Sequence, residues 1–249
     1  MKVLHIINDL SGGGAQSLLK DMVPYQIENN ADVEILLFTS RGNVFDESLK
    51  KSGIIIHSLN KKSVYDPTSI FKISAYLKKY DVIHVHLFPA QYYVVLASLF
   101  VRQKPVMLFT EHGTKNNRMG KMYWRLIDKF IYSRYDKIIG VSQGVFRSIT
   151  KWVNLPLEKF GIVVNGTKLI ESRIKSIKSK EVIKILMIGM FNEYKDQATV
   201  IKAAALLGNK YHVIFAGSGY LESKMKDLAR ELDVAHRIHF FGFQKDFCS

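Results

Sequence analysis

Short runs of Val, Ile and Leu recur along this chain, each followed by a longer segment whose apolar residues return every three or four positions. The runs are Val3 to Ile7, Val33 to Phe38, Ile54 to His57, Val82 to Val85, Val106 to Phe109, Lys137 to Val141 and Ile162 to Val164. Continuous apolar strands of this kind are buried on both faces, and their alternation with helical segments predicts a βα repeat around a parallel sheet. In the first helical segment Ala15, Leu18, Leu19 and Met22 fall at i, i+3, i+4 and i+7, an apolar stripe to lay on the sheet. Helices of this sort are expected on both sheet faces.

After Val164 the pattern breaks. Asn165-Gly166-Thr167 is a turn signal, and Lys168 to Glu181 is rich in lysine and serine with no clear apolar face. A second series then begins: strand Ile183 to Ile188, helix Ala198 to Leu207, strand Tyr211 to Phe215, a Gly217-Ser218-Gly219 turn, a helix with Leu221, Met225, Leu228 and Leu232 on one side, and strand Ile238 to Phe241. The expected organisation is a Rossmann-like α/β domain over 1–167, a linker over 168–182, and a partial Rossmann-like domain over 183–249. The 67 residues from Ile183 onward supply three strands and two helices, about half of a doubly wound domain, whose last strand has one open edge.

Composition narrows the class. With 249 residues, 47% of them hydrophobic, the chain can pack two ordinary cores. The opening apolar stretch reaches Asn8 and Asp9 at once, which fits neither a signal peptide nor an anchor, and the longest apolar run, Tyr92 to Val101, is far below the roughly 20 residues that cross a bilayer. A single cysteine, Cys248, excludes a disulfide framework and a cysteine-rich zinc site, and suits a reducing cytoplasm. The formal charge of +14 favours an anionic partner. No zinc-finger or RNP-like signature accompanies it, so nucleic acid is not expected.

Several residues carry candidate chemistry. The run from Ile185 through Lys195 to Ala204 reads as strand, polar turn and helix, and sets a cation beside a helix N-terminus, an anion site suited to a sugar-nucleotide diphosphate. The alternative is a solvated turn lysine. Gly12, Gly13 and Gly14 give a strand-to-helix turn whose backbone N–H groups can approach a phosphate or sugar, or simply a tight turn that needs glycine. A nicotinamide fingerprint does not fit, because the spacing is Gly-x-Gly-x-x-Ser and strand two ends in Leu37-Phe-Thr-Ser40 without a carboxylate for a ribose. His84 and His86 share one strand face, but no third ligand has metal spacing nearby, so they read as structural and no metal or other cofactor is expected. His112 ends a strand just before Gly113, at the carboxyl edge where ligands bind. From Lys115 to Lys137, Arg118, Lys121, Arg125, Lys129 and Arg134 interleave with aromatics, while Trp124, Ile127 and Ile131 form an apolar stripe. This is either an interfacial helix for anionic lipid or an ordinary surface helix packed on the sheet.

The motifs Gly12-Gly-Gly-Ala-Gln16, Asp81-Val-Ile-His-Val-His86, Thr110-Glu-His-Gly113, Ile139-Gly-Val-Ser142 and Asn165-Gly166 occur in order, followed by the Lys195 turn, Ala216-Gly-Ser-Gly219 and Phe240-Phe-Gly-Phe243. In this the chain resembles the retaining, family-4 glycosyltransferases of the GT-B fold, from Met1 to about Asp246. The resemblance implies a GT-B-like pair of Rossmann-like domains, the first holding acceptor and the second a nucleotide-sugar donor. It implies that His112 and Lys195 are catalytic, and that Gly13, Gly14, Gly217, Ser218, Gly219 and Phe243 line the substrate cleft. Phe243 reads equally as core. The family's arginine after the strand glycine is here Met190, and its later Glu-x7-Glu segment and closing helix are not in the chain. The expected function is transfer of a sugar to a hydroxyl acceptor, a glycan or lipid-linked precursor of cell-surface polysaccharide or glycolipid, in the cytoplasm or peripherally at the inner membrane face. The alternative is a truncated, inactive remnant or one half of a two-chain enzyme completed by a complementing C-terminal chain.

Overall fold

The computed structural model describes residues 1–40, 44–166 and 182–244. Within them the chain divides into two compact units, Met1–Leu169 and Ile170–Ser249. Most of the expected 168–182 linker, and Cys248, lie outside the described residues.

The first unit runs β1 (Lys2–Ile7), α1 (Gly14–Glu28), β2 (Asp32–Leu37), α2 (Asp46–Lys51), β3 (Ile55–Ser58), α3 (Ser69–Leu77), β4 (Val82–His86), α4 (Ala90–Ser98), β5 (Val106–Glu111), α5 (Met122–Ser133), β6 (Lys137–Gly140), α6 (Gln143–Val153) and β7 (Phe160–Ile162). Its strands form one parallel sheet in the order β3-β2-β1-β4-β5-β6-β7. The order reverses between β1 and β4, so the connections leave β1 and β4 in opposite directions and open a crevice at their carboxyl ends.

Alternation along each strand sorts the apolar residues between two cores. Leu4, Ile6, Ile83, Val85, Met107, Phe109 and Ile138 pack with α3, α4, α5 and α6 on one face. Val3, Ile7, Val33, Ile35 and Leu37 pack with Ala15, Leu19 and Val23 of α1 and Leu49 of α2 on the other. Helices lie on both faces, but α1 and α2 cover only the β1-to-β3 half of theirs. Of the stripe read along α1, Ala15 and Leu19 are core, whereas Leu18 and Met22 are half-buried and line a cavity of about 800 Å³ that extends over the uncovered half, toward Ile139 and Val163. The seventh strand lies two residues earlier than the sequence pattern indicates, because Phe160 is the residue that buries while Val163 and Val164 are exposed.

The second unit runs β8 (Ile183–Ile188), α7 (Gln197–Leu206), β9 (Tyr211–Ala216), α8 (Glu222–Glu231) and β10 (Ile238–Phe240), a parallel sheet in the order β10-β9-β8. Phe191, Ile201, Val213, Phe215, Met225 and Ala229 form its core. Among the described residues α7 and α8 pack on one core only, and β8 is an edge strand with Ile183, Ile185, Leu186 and Ile188 exposed.

A buried ion pair anchors the segment that follows β5. Arg118 Nε lies 3.2 Å from Asp128 Oδ1 on α5, and Asp128 is fully buried. Trp152 Nε1 donates to Asp128 Oδ2 at 2.7 Å, Tyr92 Oη donates to Oδ1, and the guanidinium sits 4.3 Å from the Phe88 ring centroid. Arg118 therefore leaves the surface-basic set read from the sequence, because the loop folds it inward onto a carboxylate. Removing one partner strands the other charge in the core at a cost of about 3–5 kcal/mol. Asp128→Ala should lower the stability of the first unit by that amount. Both tryptophans, Trp124 and Trp152, belong to this unit, so their fluorescence in a urea titration reads it selectively.

Candidate functional site

In the first unit the polar side chains collect at the crevice between β1 and β4. Register places His5 of β1 directly beside His84 of β4, and alternation places His86 on the same face one step nearer the carboxyl edge. His112 follows the end of β5. His5 Nδ1 is 3.1 Å from His86 Nε2, and His86 Nδ1 is 3.3 Å from His112 Nε2. His5 Nε2 meets Gln26 Oε1 of α1 at 2.9 Å, and His84 Nε2 meets Thr110 Oγ1 at 2.7 Å. His84 stacks obliquely on His86, with ring centroids 4.4 Å apart. His84, His86 and Thr110 also line the 800 Å³ cavity.

His5 corrects the reading of His84 and His86 as a pair without a third partner. The three imidazoles offer ring nitrogens within 4.8 Å of one another, a cluster that could hold a metal ion. Sequence spacing could not supply it, because His5 is joined to His84 only through strand pairing. The hydrogen bonds count against a metal, however. Of the six ring nitrogens of His5, His84 and His86, five already hold a hydrogen-bond partner, leaving His84 Nδ1 alone among the described residues.

The loop after β1 is less demanding than its glycines imply. Gly13 has an extended backbone and caps α1 without a side-chain hydrogen bond, and a Cβ on Gly14 would meet nothing within 4 Å. Neither residue needs glycine for a left-handed turn, but a Cβ on Gly13 would lie 2.4 Å from Gln16 Oε1 and displace the side chain that bonds Asp9, whereas Gly14 leaves the start of α1 unobstructed. Asp9 holds the loop, accepting from Ser11 N and Ser11 Oγ at 2.9 and 2.5 Å and from Gln16 Nε2 at 3.3 Å. Asn8 ties the ends of β1 and β4 together by donating Nδ2 to Phe88 O at 2.7 Å. Two residues of the Ile139-to-Ser142 motif have structural roles: Gly140 lets α6 approach β6, and Ser142 caps α6.

In the second unit the carboxyl edge is built from three glycine-containing loops. Gly217 has φ +152 and a Cβ there would lie 2.1 Å from Gly189 O, while a Cβ on Gly219 would lie 2.4 Å from Phe191 O. Phe191 N donates to Ser218 O at 3.0 Å and Gly217 N to Gly242 O at 2.8 Å. Backbone-to-backbone packing thus explains these glycines by itself. Lys195 lays its stem over Gly189, where a Cβ would meet Lys195 Cδ at 3.4 Å. Its side chain is exposed, with no ion pair or hydrogen bond among the described residues. The N-terminus of α7 is not open beside it: Asp196 caps it, accepting from Thr199 N at 3.3 Å and Thr199 Oγ1 at 2.8 Å. Of the expected pairing of cation and helix end, the cation is what stays available. Phe243 is exposed rather than core.

Burial controls the charge of the histidine cluster. Desolvation pushes His5 down to about 4, against a smaller upward pull from Gln26, and pushes His112 down to about 4. Desolvation, joined by repulsion from neighbouring imidazoles, lowers His84 and His86 well below the ordinary histidine value. All four are neutral near pH 7. Because their folded pKa values lie below the unfolded value of about 6.5, the unfolded chain binds more protons between them. The stability of the first unit should therefore be fully present above about pH 6.5 and fall progressively toward pH 4, read by tryptophan fluorescence at fixed ionic strength.

Comparison with known proteins adds the family. Glycosyltransferase Family 4 matches residues 12–169, and Glycosyl transferases group 1 matches residues 170–247. An uncharacterized glycosyltransferase of Methanocaldococcus jannaschii is 26% identical over 185 residues, 66% of this chain and 47% of that protein, so this chain spans about half the relative's length. The N-acetylgalactosamine-N,N'-diacetylbacillosaminyl-diphospho-undecaprenol 4-alpha-N-acetylgalactosaminyltransferase of Campylobacter jejuni is 20% identical, covering 96% of this chain and 69% of its own length. The Anabaena protein HepE, crystallised with UDP and glucose, superimposes with a TM-score of 0.81 at 16% identity, covering 98% of this chain and 70% of that one. At that identity the likeness establishes the GT-B fold. With the family match spanning most of the first unit, this chain belongs to Glycosyltransferase Family 4.

Proposed function

We propose that this chain binds a uridine-diphosphate sugar through its second unit and serves the transfer of that sugar, with retention at the anomeric carbon, to a hydroxyl acceptor. The observation that carries the reading is Lys195, a cation without a side-chain partner among the described residues, stretched across Gly189 at the carboxyl edge of β8, beside the Gly217-to-Gly219 loop. A diphosphate leaving group develops negative charge as the glycosidic bond breaks, and a preplaced ammonium stabilises it without a metal ion. The sugar would pass through an oxocarbenium-like state. Gly217, Ser218, Gly219 and Phe243 are assigned to the donor; Gly13, Gly14 and His112 are assigned to the acceptor and sugar. UDP and glucose in the HepE crystals support the choice of donor.

The acceptor is proposed to be a lipid-linked glycan, in cell-surface polysaccharide or glycolipid synthesis, approached from an anionic membrane. The name of the Campylobacter relative, which includes a diphospho-undecaprenol substrate, supports this. So does α5. Ile131 packs into the core, and Trp124 is half-buried, but Met122, Tyr123, Leu126, Ile127 and Phe130 form an exposed apolar ridge flanked by Lys121, Lys129 and Arg134. Apolar residues bordered by cations suit the boundary of an anionic leaflet. Among the described residues no helix is long and apolar enough to cross a membrane.

A second reading draws on β8, whose Ile183, Ile185, Leu186 and Ile188 are exposed along an edge strand. A complementing polypeptide that adds strands there would finish the sheet, and turnover would then require both chains.

Two measurements test these readings. Calorimetric titration with a panel of UDP-sugars should detect one donor that binds, and Lys195→Ala should weaken it about tenfold or more, the scale of a hydrogen bond to a charged group. Unchanged affinity would refute the role of Lys195, and binding without turnover would favour the two-chain reading. In flotation assays the chain should bind phosphatidylglycerol vesicles more than phosphatidylcholine vesicles. The double variant Leu126→Glu, Phe130→Glu should lose about tenfold or more, since each buried apolar side chain contributes about 1.5–3 kcal/mol.

A further inference from the structure

The hydrogen bonds around His86 form a line rather than a cage. Gln26 Oε1, His5, His86 and His112 follow one another at 2.9, 3.1 and 3.3 Å, each imidazole using one nitrogen toward each neighbour. A neutral imidazole has one N–H and one lone pair. Along such a line every ring must therefore present its proton in the same direction, since two donors or two acceptors facing each other at either nitrogen-to-nitrogen contact would break it. Only two arrangements satisfy all three contacts. In one, every ring is protonated on Nε2 and the line ends on an acceptor at Gln26. In the other, every ring is protonated on Nδ1 and the line must begin with a donor there.

The oxygen of Gln26 faces His5, which selects the first arrangement. His5 Nε2–H donates to Gln26, His86 Nε2–H donates to His5 Nδ1, and His112 Nε2–H donates to His86 Nδ1. This leaves the lone pair of His112 Nδ1 exposed to a ligand, with no protein partner among the described residues. We propose that Gln26, His5 and His86 are positioning residues that fix the tautomer of His112, so that it meets its ligand as a hydrogen-bond acceptor, and that the end of α1 sets this choice through three rings. The burial that keeps the rings uncharged is what makes the coupling strict, because an imidazolium would donate from both nitrogens and break the line. His84 stands outside it, bonded to Thr110 and lying against the face of His86. The acceptor role rests on the proposed glycosyltransferase reading only for the identity of the donor group, a sugar hydroxyl; the tautomer itself does not depend on that reading.

The test is nitrogen-15 NMR of histidine-labelled full-length chain at about pH 8, above the ordinary histidine range. His112 is assigned by substitution. In the unaltered chain and in Gln26→Glu, which keeps only acceptors at this place, His112 should carry its proton on Nε2 with Nδ1 bare. In Gln26→Lys, which offers only donors, the populations on His112 should invert toward Nδ1–H. Gln26 is half-buried on a helix surface, so both variants retain the core. The same tautomer in both variants would overturn the proposal, as would Nδ1–H in the unaltered chain. Loss of the His5-to-His86 hydrogen-bond coupling on titration with zinc, at one ion per chain, would overturn it in favour of a metal site. Adding a UDP-sugar that binds should shift His112 Nδ1 as a hydroxyl donates to it. Binding that leaves Nδ1 unmoved overturns the acceptor role. Failure of every UDP-sugar to bind counts against the functional reading while the tautomer result stands.

Discussion

All strands of a parallel sheet end on one edge, and where strand order reverses two of those ends are left with loops that turn away from each other. The first unit is organised around that constraint. Its reversal falls between β1 and β4, and the strands that meet there carry His5, His84 and His86 on one face. Had β1 paired one residue out of step with β4, His5 would point to the face occupied by α3 to α6, and Leu4 and Ile6 would lie beside His84 and His86 instead. The register that buries the two cores is thus also what assembles the polar line from Gln26 to His112.

That polar line is costly to bury unless every nitrogen has a use. Uncharged imidazoles lower the cost, and the hydrogen bonds along the line offset most of what remains. The sheet also fixes which residues can reach outward. Glu111, immediately before His112, turns the other way, where burial raises its carboxyl and Tyr132 Oη, 2.7 Å away, holds it. Successive residues at a strand end therefore serve opposite faces. One faces the α5 side, near the Arg118–Asp128 pair, while the next joins the histidine line through His86.

The second unit solves a different problem with less material. Three loops converge so closely that glycine is needed at 217 and 219 for backbone to pass backbone, and the Lys195 stem lies over Gly189 at ordinary contact distance. The consequence is a cation held over a strand end by packing along its aliphatic carbons. The first unit thus offers neutral acceptors and donors, and the second an exposed positive charge.

The amino-acid sequence by itself determined the βα repeat, the break after Val164, the order of the motifs and hence the family, because apolar periodicity and turn residues act locally. It also marked His112 and Lys195, which stand at strand ends that the pattern locates. The tertiary structure alone decided that His5 joins His84 and His86, that Arg118 turns inward to Asp128, and that α5 exposes Leu126 and Phe130. Each of these depends on strand register or on which side of a helix meets a neighbour. Those relations join residues from about ten to eighty positions apart, and no spacing along the chain encodes them.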